Sequence, residues 1–345
     1  MFKISSPRYR YTQFFVLFIL CFLIYVMAQS IGPGITNFQD NIYKKDFLME
    51  KATLFRYKIG DRIFPGGVIG KDGWMEYTDD GNLDDFQNVK NLENKKKLRK
   101  ELVALNEFLN SQGITLLIVV APNKATIYPD KLSGQIKSLP AESVLDKLIA
   151  FSKENNLPAI LDLRPALRNA RHDQDVYYKT NTHWNGYGAF VAYTTIINAL
   201  GNSHSEIKPY KSADMNLVTT VPGVQDIPGL MHASFITEPY IYLEPKTPFI
   251  QTLHPGDSYG YNRYSWIPNS NLPTLLMFHD SFGLTYLNGY LSMNFRESHF
   301  IHNYSYSVYL TRESIRQFKP DVIIIEIVER NLGKLVTYLS NFDQE

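Results

Sequence analysis

Two short segments carry residue types that together perform nucleophilic chemistry. In Phe278-His279-Asp280-Ser281-Phe282-Gly283 an apolar run gives way within three residues to a helical pattern, which sets Ser281 on a strand-to-helix turn. Open α/β sheets bind ligands at such carboxyl edges. A helix N-terminus there offers N–H groups and a positive dipole end to a developing oxyanion. A serine hydroxyl needs a base to take its proton. Lys179-Thr180-Asn181-Thr182-His183-Trp184-Asn185-Gly186 supplies a histidine on a polar turn directly before a second predicted helix. Residues i and i+2 of an extended segment project to the same side, so Asn181 could orient the His183 ring. Each segment also has a plainer reading, with Asp280 or Ser281 as a helix cap and His183 as a packing residue beside Trp184.

Other chemistries find less support. His172, His204, His232, His254, His279, His299 and His302 lack metal-ligand spacing, and Cys21 as the single cysteine excludes an intrachain disulfide and a multi-cysteine zinc site. No metal and no cofactor are expected. His172-Asp173-Gln174-Asp175 reads as a solvated loop, and Asp79, Asp80, Asp84 and Asp85 lack EF-hand spacing. Lys plus Arg minus Asp plus Glu is 35 − 34 = +1, so no global field draws nucleic acid. The 345 residues are 44% hydrophobic, enough for a packed core and against a disordered chain.

The elements that must position these turns are legible as periodicities. Leu98, Leu102, Leu105 and Leu109 recur at helical spacing, with Gly113 as a stop signal. Ile114 to Ala121 is an unbroken apolar run ending at Pro122, the mark of a buried parallel strand. A helix through Val144, Leu145, Leu148 and Phe151 precedes a short strand from Ala159 to Leu163, and Asn185 caps a helix running to Gly201. Residues 202–273 are rich in Pro, Tyr and Ser without sustained periodicity, and read as an irregular insertion of short strands and loops. Alternation then resumes: strand Thr274 to Phe278, helix about 283–293, strand Ser298 to Asn303, helix Thr311 to Phe318, strand Asp321 to Val328. This order predicts an α/β fold, a parallel sheet with helices on both faces.

The N-terminus differs. No charged residue occurs from Tyr11 to Phe38, and Tyr11 to Ala28 as a helix would span about 27 Å, close to the ~30 Å hydrocarbon thickness. Lys3, Arg8 and Arg10 precede the stretch, whereas Asp40, Lys44, Lys45 and Asp46 nearly cancel after it. The positive-inside rule then leaves the N-terminus in the cytoplasm and exports the rest. Ala28-Gln29-Ser30 offers the competing reading of a cleaved signal peptide. Leu20 before Cys21 argues against a cysteine-linked lipid. Gly32-Pro33-Gly34 ends the stretch, giving a tail and transmembrane helix over 1–34, an extension over 35–90, and a main domain over 91–345.

Further segments fall into a recognisable order: Gly70-Lys71-Asp72-Gly73-Trp74, Pro122-Asn123-Lys124 with Ile127-Tyr128-Pro129, Thr182-His183-Trp184-Asn185, Asp280-Ser281-Phe282, and Lys319-Pro320-Asp321-Val322-Ile323 with Glu329-Arg330. In this order and spacing the chain resembles the SGNH-hydrolase-like family of alginate O-acetyltransferases, the AlgJ/AlgX type. The resemblance implies an SGNH-like sheet and a Ser-His-Asp triad with the histidine segment first, Ser281 as acyl nucleophile and His183 as general base. It places the triad carboxylate two residues before the histidine, where this chain has Asn181. An amide can orient an imidazole without stabilising an imidazolium, and Asp175 is the nearest replacement carboxylate in sequence. His279 stands where the family has glycine before the aspartate. Lys124 and Arg330 occupy family positions near strand ends, with salt-bridging or capping as their plain role.

The activity implied is acetyl transfer through an acyl-serine onto polysaccharide hydroxyls, on the outer side of a bacterial inner membrane. A multipass membrane O-acyltransferase is the implied acetyl supplier, and no nucleic-acid partner is implied. An acetylesterase using the same site, or a non-catalytic glycan-binding or assembly subunit to which Asn181 lends support, are the competing functions. Tyr259, Tyr261, Tyr264 and Trp266 in the insertion could stack on sugar rings or simply pack.

Overall fold

The computed structural model describes residues 7–30, 44–79, 81–84, 91–134, 136, 142–247, 252–254, 262–267, 271–302, 310–340 and 342. Gly32-Pro33-Gly34, Asp40, Asp80, Asp85, Tyr259 and Tyr261 lie outside these residues. The chain divides into two units, residues 1–61 with 232–235, and residues 62–231 with 236–345.

The first unit carries helices α1 (Pro7–Ser30) and α2 (Lys45–Lys58). In α1 the large apolar side chains from Phe14 to Leu20 are exposed. Side chains are described there only from Phe14 to Met27, about 21 Å of helix against the ~30 Å of a bilayer core. Among the described residues no helix is long and apolar enough to cross a membrane, so the expected spanning helix is not met within them.

The second unit opens with β1 (Ile63–Phe64), β2 (Gly67–Ile69) and β3 (Met75–Tyr77), a small antiparallel sheet. Then follow α3 (Lys95–Ser111), β4 (Thr115–Ala121), α4 (Lys124–Ile127), α5 (Val144–Glu154), β5 (Ile160–Asp162), α6 (Arg164–Ala170) and α7 (Gly186–Leu200). Next come β6 (Met215–Gly223), α8 (Asp226–Leu230), β7 (Glu238–Pro245), β8 (Thr252–His254) and β9 (Asn262–Trp266). The chain closes with β10 (Thr274–His279), α9 (Asn288–Ser292), β11 (Glu297–His302), α10 (Arg312–Phe318), β12 (Val322–Val328) and α11 (Leu335–Leu339).

The main sheet runs β5-β4-β12-β10-β11-β9-β8. Its first five strands are mutually parallel, and β9 and β8 add antiparallel at one edge. The apolar runs explain the interior position of β4, β12 and β10, because a strand covered on both faces needs no polar alternation. Alternate residues divide between two core layers. Val322, Ile324 and Val328 of β12 pack with Ala189, Ala192, Tyr193 and Ile196 of α7. Ile323, Ile325 and Ile327 pack with Leu98, Leu102, Leu105 and Leu109 of α3 and with α5 and α11. Helices on both faces are thereby established.

The short strands expected in the insertion pair up: β6 and β7 form a two-stranded antiparallel ribbon, and β8 and β9 extend the main sheet. The mostly exposed or half-exposed side chains of β6 and β7 give no sustained apolar period. The helix expected over 283–293 begins instead as a π turn, Gly283–Leu287, in which Tyr286 takes a left-handed φ of 66° before α9 starts.

Candidate active site

β10 ends at His279, so Ser281 stands at the carboxyl edge of the parallel strands, on the first turn beyond them. The histidine segment precedes α7, whose N-terminus is capped by the predicted residue: Asn185 Oδ1 accepts from the Gly188 N–H at 2.9 Å. The two turns meet. His183 Nε2 lies 2.8 Å from Ser281 Oγ, and both residues are partly exposed, so a reactant can approach the pair. With the serine hydroxyl donating to Nε2, the ring proton belongs on Nδ1.

That proton has Asn181 as its near neighbour, since Asn181 Oδ1 is 2.8 Å from Nδ1 and also accepts from the His183 backbone N–H at 2.9 Å. The amide is oriented by Gln225, whose Oε1 accepts from Asn181 Nδ2 at 3.0 Å. Asn181 thus occupies the expected orienting position. Asp175 does not replace the missing carboxylate: its backbone carbonyl accepts from Asn185, and its charge bears on Tyr128 and Lys131.

Sequence reasoning missed Asp226. It heads α8 inside the insertion, and its Oδ2 lies 3.6 Å from His183 Nδ1. Thr182 holds it there, donating from Oγ1 to Oδ2 at 2.6 Å and from its N–H to both oxygens at 3.0 and 3.1 Å. Burial pushes the Asp226 carboxyl up, but the His183 ring and the Thr182 donors outweigh it and hold the group below the usual carboxylate range. No local signal in Gln225-Asp226 marks it; only the folded ribbon brings it to the ring.

Lys124 organises the histidine segment from beneath. Fully buried at the start of α4, its ammonium donates to the backbone carbonyls of Tyr178, Lys179 and Asn181 at 3.3, 3.0 and 2.9 Å. The Lys179 carbonyl also accepts from the Met75 N–H at 2.8 Å, which ties the segment to β3. Arg330 lies over the Phe282 ring at 5.5 Å, and Phe282 in turn packs 4.8 Å from the His183 ring.

The serine turn is built from carboxylates. Asp280 Oδ1 accepts from the Phe282 N–H at 2.9 Å and Oδ2 from the Val328 N–H at 2.7 Å, tying the turn to the end of β12. Asp280 therefore does more than cap a helix. Glu326 of β12, wholly buried, accepts from the Asp280 and Gly283 N–H groups at 3.1 and 3.2 Å. Burial, reinforced by the Asp280 carboxylate, pushes the Glu326 carboxyl well above its usual range. Of the N–H groups from Asp280 to Gly283, only that of Ser281 donates to none of the described groups. An N–H so placed could donate to an anionic oxygen held at the turn. His279 does not open a second one, since its buried ring is 2.7 Å from the Asp280 carbonyl and 3.0 Å from Asn288 Nδ2.

Among the described residues no group of three or more His, Cys, Asp or Glu could hold a metal ion. For Tyr264 and Trp266 the backbone alone is described, pairing with His299 and Glu297. The aromatic groups found near the serine turn are others: Tyr286 stacks on Tyr242 at 5.9 Å and its hydroxyl meets that of Tyr178 at 2.9 Å.

A serine and a histidine in hydrogen-bond contact at the carboxyl edge of an α/β sheet are the pair that nucleophilic chemistry requires. Residues 68–252, just over half the chain, match the family described as SGNH hydrolase-like domain, acetyltransferase AlgX, and the chain belongs to that family. It is 29% identical over 157 residues to the probable alginate O-acetylase AlgJ of Pseudomonas aeruginosa, a match covering 46% of this chain and 38% of that protein. The chain thus spans about two fifths of the length of that curated relative. In fold it is similar to Bacillus cereus PatB1 bearing a sulfonyl adduct, with a TM-score of 0.58 and 18% identity over 72% of this chain and 94% of the other. It is also similar to the O-acetyltransferase domain of Pseudomonas putida AlgJ, with a TM-score of 0.51 and 19% identity over 80% and 99%.

Proposed function

We propose that the chain is a serine-dependent O-acetyltransferase that acetylates the hydroxyls of an exported or surface polysaccharide. The observation that carries this reading is the 2.8 Å contact between Ser281 Oγ and His183 Nε2, on a turn whose serine N–H faces no protein acceptor among the described residues. Membership of the AlgX family and the likeness to proteins named probable alginate O-acetylase support acetyl as the group and a polysaccharide as acceptor.

The reaction runs in two displacements. His183 Nε2 takes the hydroxyl proton as Ser281 Oγ bonds to the carbonyl carbon of an acetyl donor, and the Ser281 N–H receives the charge on the carbonyl oxygen. The imidazolium gives its proton to the departing oxygen as the bond from carbon to leaving group breaks. A sugar hydroxyl then loses its proton to Nε2 and attacks the acetyl ester, and the proton returns to Ser281 Oγ as that ester bond breaks. Water in place of the sugar would make the same residues an esterase. The charge-free stretch from Tyr11 to Phe38, preceded in sequence by Lys3, Arg8 and Arg10, supports membrane attachment with the domain outside, where a multipass O-acyltransferase would supply acetyl groups.

The test is mass spectrometry of the full chain in detergent after exposure to an activated acetyl ester. Ser281 should acquire an acetyl group, Ser281→Ala should acquire none, and His183→Ala should slow the step ~10²–10⁴-fold. Deleting the gene should lower polymer acetylation; a rise would identify an esterase. An unacetylated Ser281 would end the acyl-transfer reading.

A further inference from the structure

We propose that Asp226 is the charge partner of His183, so that the support a triad draws from one carboxylate is divided here between Asn181 and Asp226. The assignment rests on the acyl-transfer reading above. An amide carbonyl can hold the Nδ1 proton and fix the ring, but it carries no net charge to balance the imidazolium formed when Ser281 gives up its proton. Asp226 is the carboxylate in place to do so. At 3.6 Å its Oδ2 is beyond direct hydrogen bonding to Nδ1, yet the Thr182 hydroxyl bridges the gap. That hydroxyl donates to Oδ2 at 2.6 Å and lies 3.1 Å from Nδ1, where its lone pair faces the ring proton.

The carboxylate is fixed by hydrogen bonds to both of its oxygens. Besides the Thr182 contacts, its Oδ1 accepts from the Ile227 N–H at 2.7 Å. The two neighbours in sequence answer two others across the gap: Gln225 orients the Asn181 amide, while Asp226 takes both donors of Thr182. With Gln225 Oε1 facing position 181, an amide fits there and a carboxylate meets oxygen against oxygen. The arrangement is built for a neutral residue at 181 and a charged one at 226. His183 and Asp226 side chains retain 17% and 31% exposure, so the field is screened less than at a surface and more than in a dry core. Asp226 acts through the imidazole and is a positioning residue.

The experiment measures single-turnover acetylation of Ser281 in the full chain against concentration of an activated acetyl ester. Asp226→Asn should lower the limiting rate ~10²–10³-fold and leave the half-saturating concentration unchanged, less than the ~10⁴-fold of a triad that also loses its tautomer, because Asn181 keeps the proton on Nδ1. Adding Asn181→Asp to Asp226→Asn should recover at least ~10-fold by restoring charge at the neighbouring atom. Asn181→Asp alone should give no gain. The proposal is overturned if Asp226→Asn acetylates Ser281 at the rate of the parent chain, or if its loss is not relieved by Asn181→Asp in a protein with unchanged thermal unfolding. A parent chain that leaves Ser281 unmodified overturns the acyl-transfer reading, and this assignment with it.

Discussion

Glu76 and Lys124 form a buried pair under the histidine turn, and their protonation carries a measurable signature. Burial pushes the Glu76 carboxyl up from 4.5 to about 7, against the pull of the Lys124 ammonium, while burial lowers Lys124. The folded state therefore holds the Glu76 proton more tightly than the unfolded chain. The associated stability is complete below the unfolded value of 4.5 and is lost as pH rises through about 7. Glu76→Gln removes the titration. Thermal unfolding of the parent chain and this variant at about pH 5 and about pH 8 should show a difference in pH response of up to about 3 kcal/mol, the parent losing more at the higher pH. Equal slopes would mean that Glu76 is not buried as a neutral acid. Lys124 also holds the Asn181 carbonyl, two residues before His183.

Among the elements, α7 and β7 set the approach of the insertion to the site. A Cβ on Gly186, in the first turn of α7, would collide with the Cα of Tyr242 and the carbonyl of Ile241 on β7. Gly186→Ala must push the ribbon outward, and with it the segment that carries Asp226. Acetylation of Ser281 should fall ~10–100-fold although no reacting group is altered, a loss of the size expected from about 1 Å of misplacement. Normal acetylation by a folded Gly186→Ala chain would show that the ribbon does not set the site. The same elements explain what could be read in advance. β4, β10 and β12 announced themselves through apolar runs, and the turn bearing Ser281 followed from where the β10 run stops. Asp226 could not be found that way. It lies 226 − 183 = 43 residues beyond the histidine, on a five-residue helix between two strands whose half-exposed side chains give no sustained period. A charge partner supplied by tertiary folding leaves no local spacing. The π turn was hidden for a related reason, since its left-handed residue is a tyrosine rather than the glycine that such a backbone favours.

Across the molecule, the residues of the site converge on one edge of the sheet from strands far apart in the chain. Lys124 follows β4, Ser281 follows β10, and Glu329 and Arg330 follow β12. The opposite concern of any open sheet is its flank. β11 carries a full row of ladder groups on the side away from β10, and these are met by β9, with the three-residue β8 closing the series. Among the described residues β8 spans Thr252–His254, and a strand of that length offers little template for a neighbour. Ser265→Pro, in the middle of β9 opposite Ser298, should break that cover and leave six extended residues available to another copy. Light scattering should then register concentration-dependent aggregation, whereas a variant that stays monodisperse would locate the protection elsewhere. On that expectation the antiparallel annex is the cap that ends the sheet on the flank away from β5.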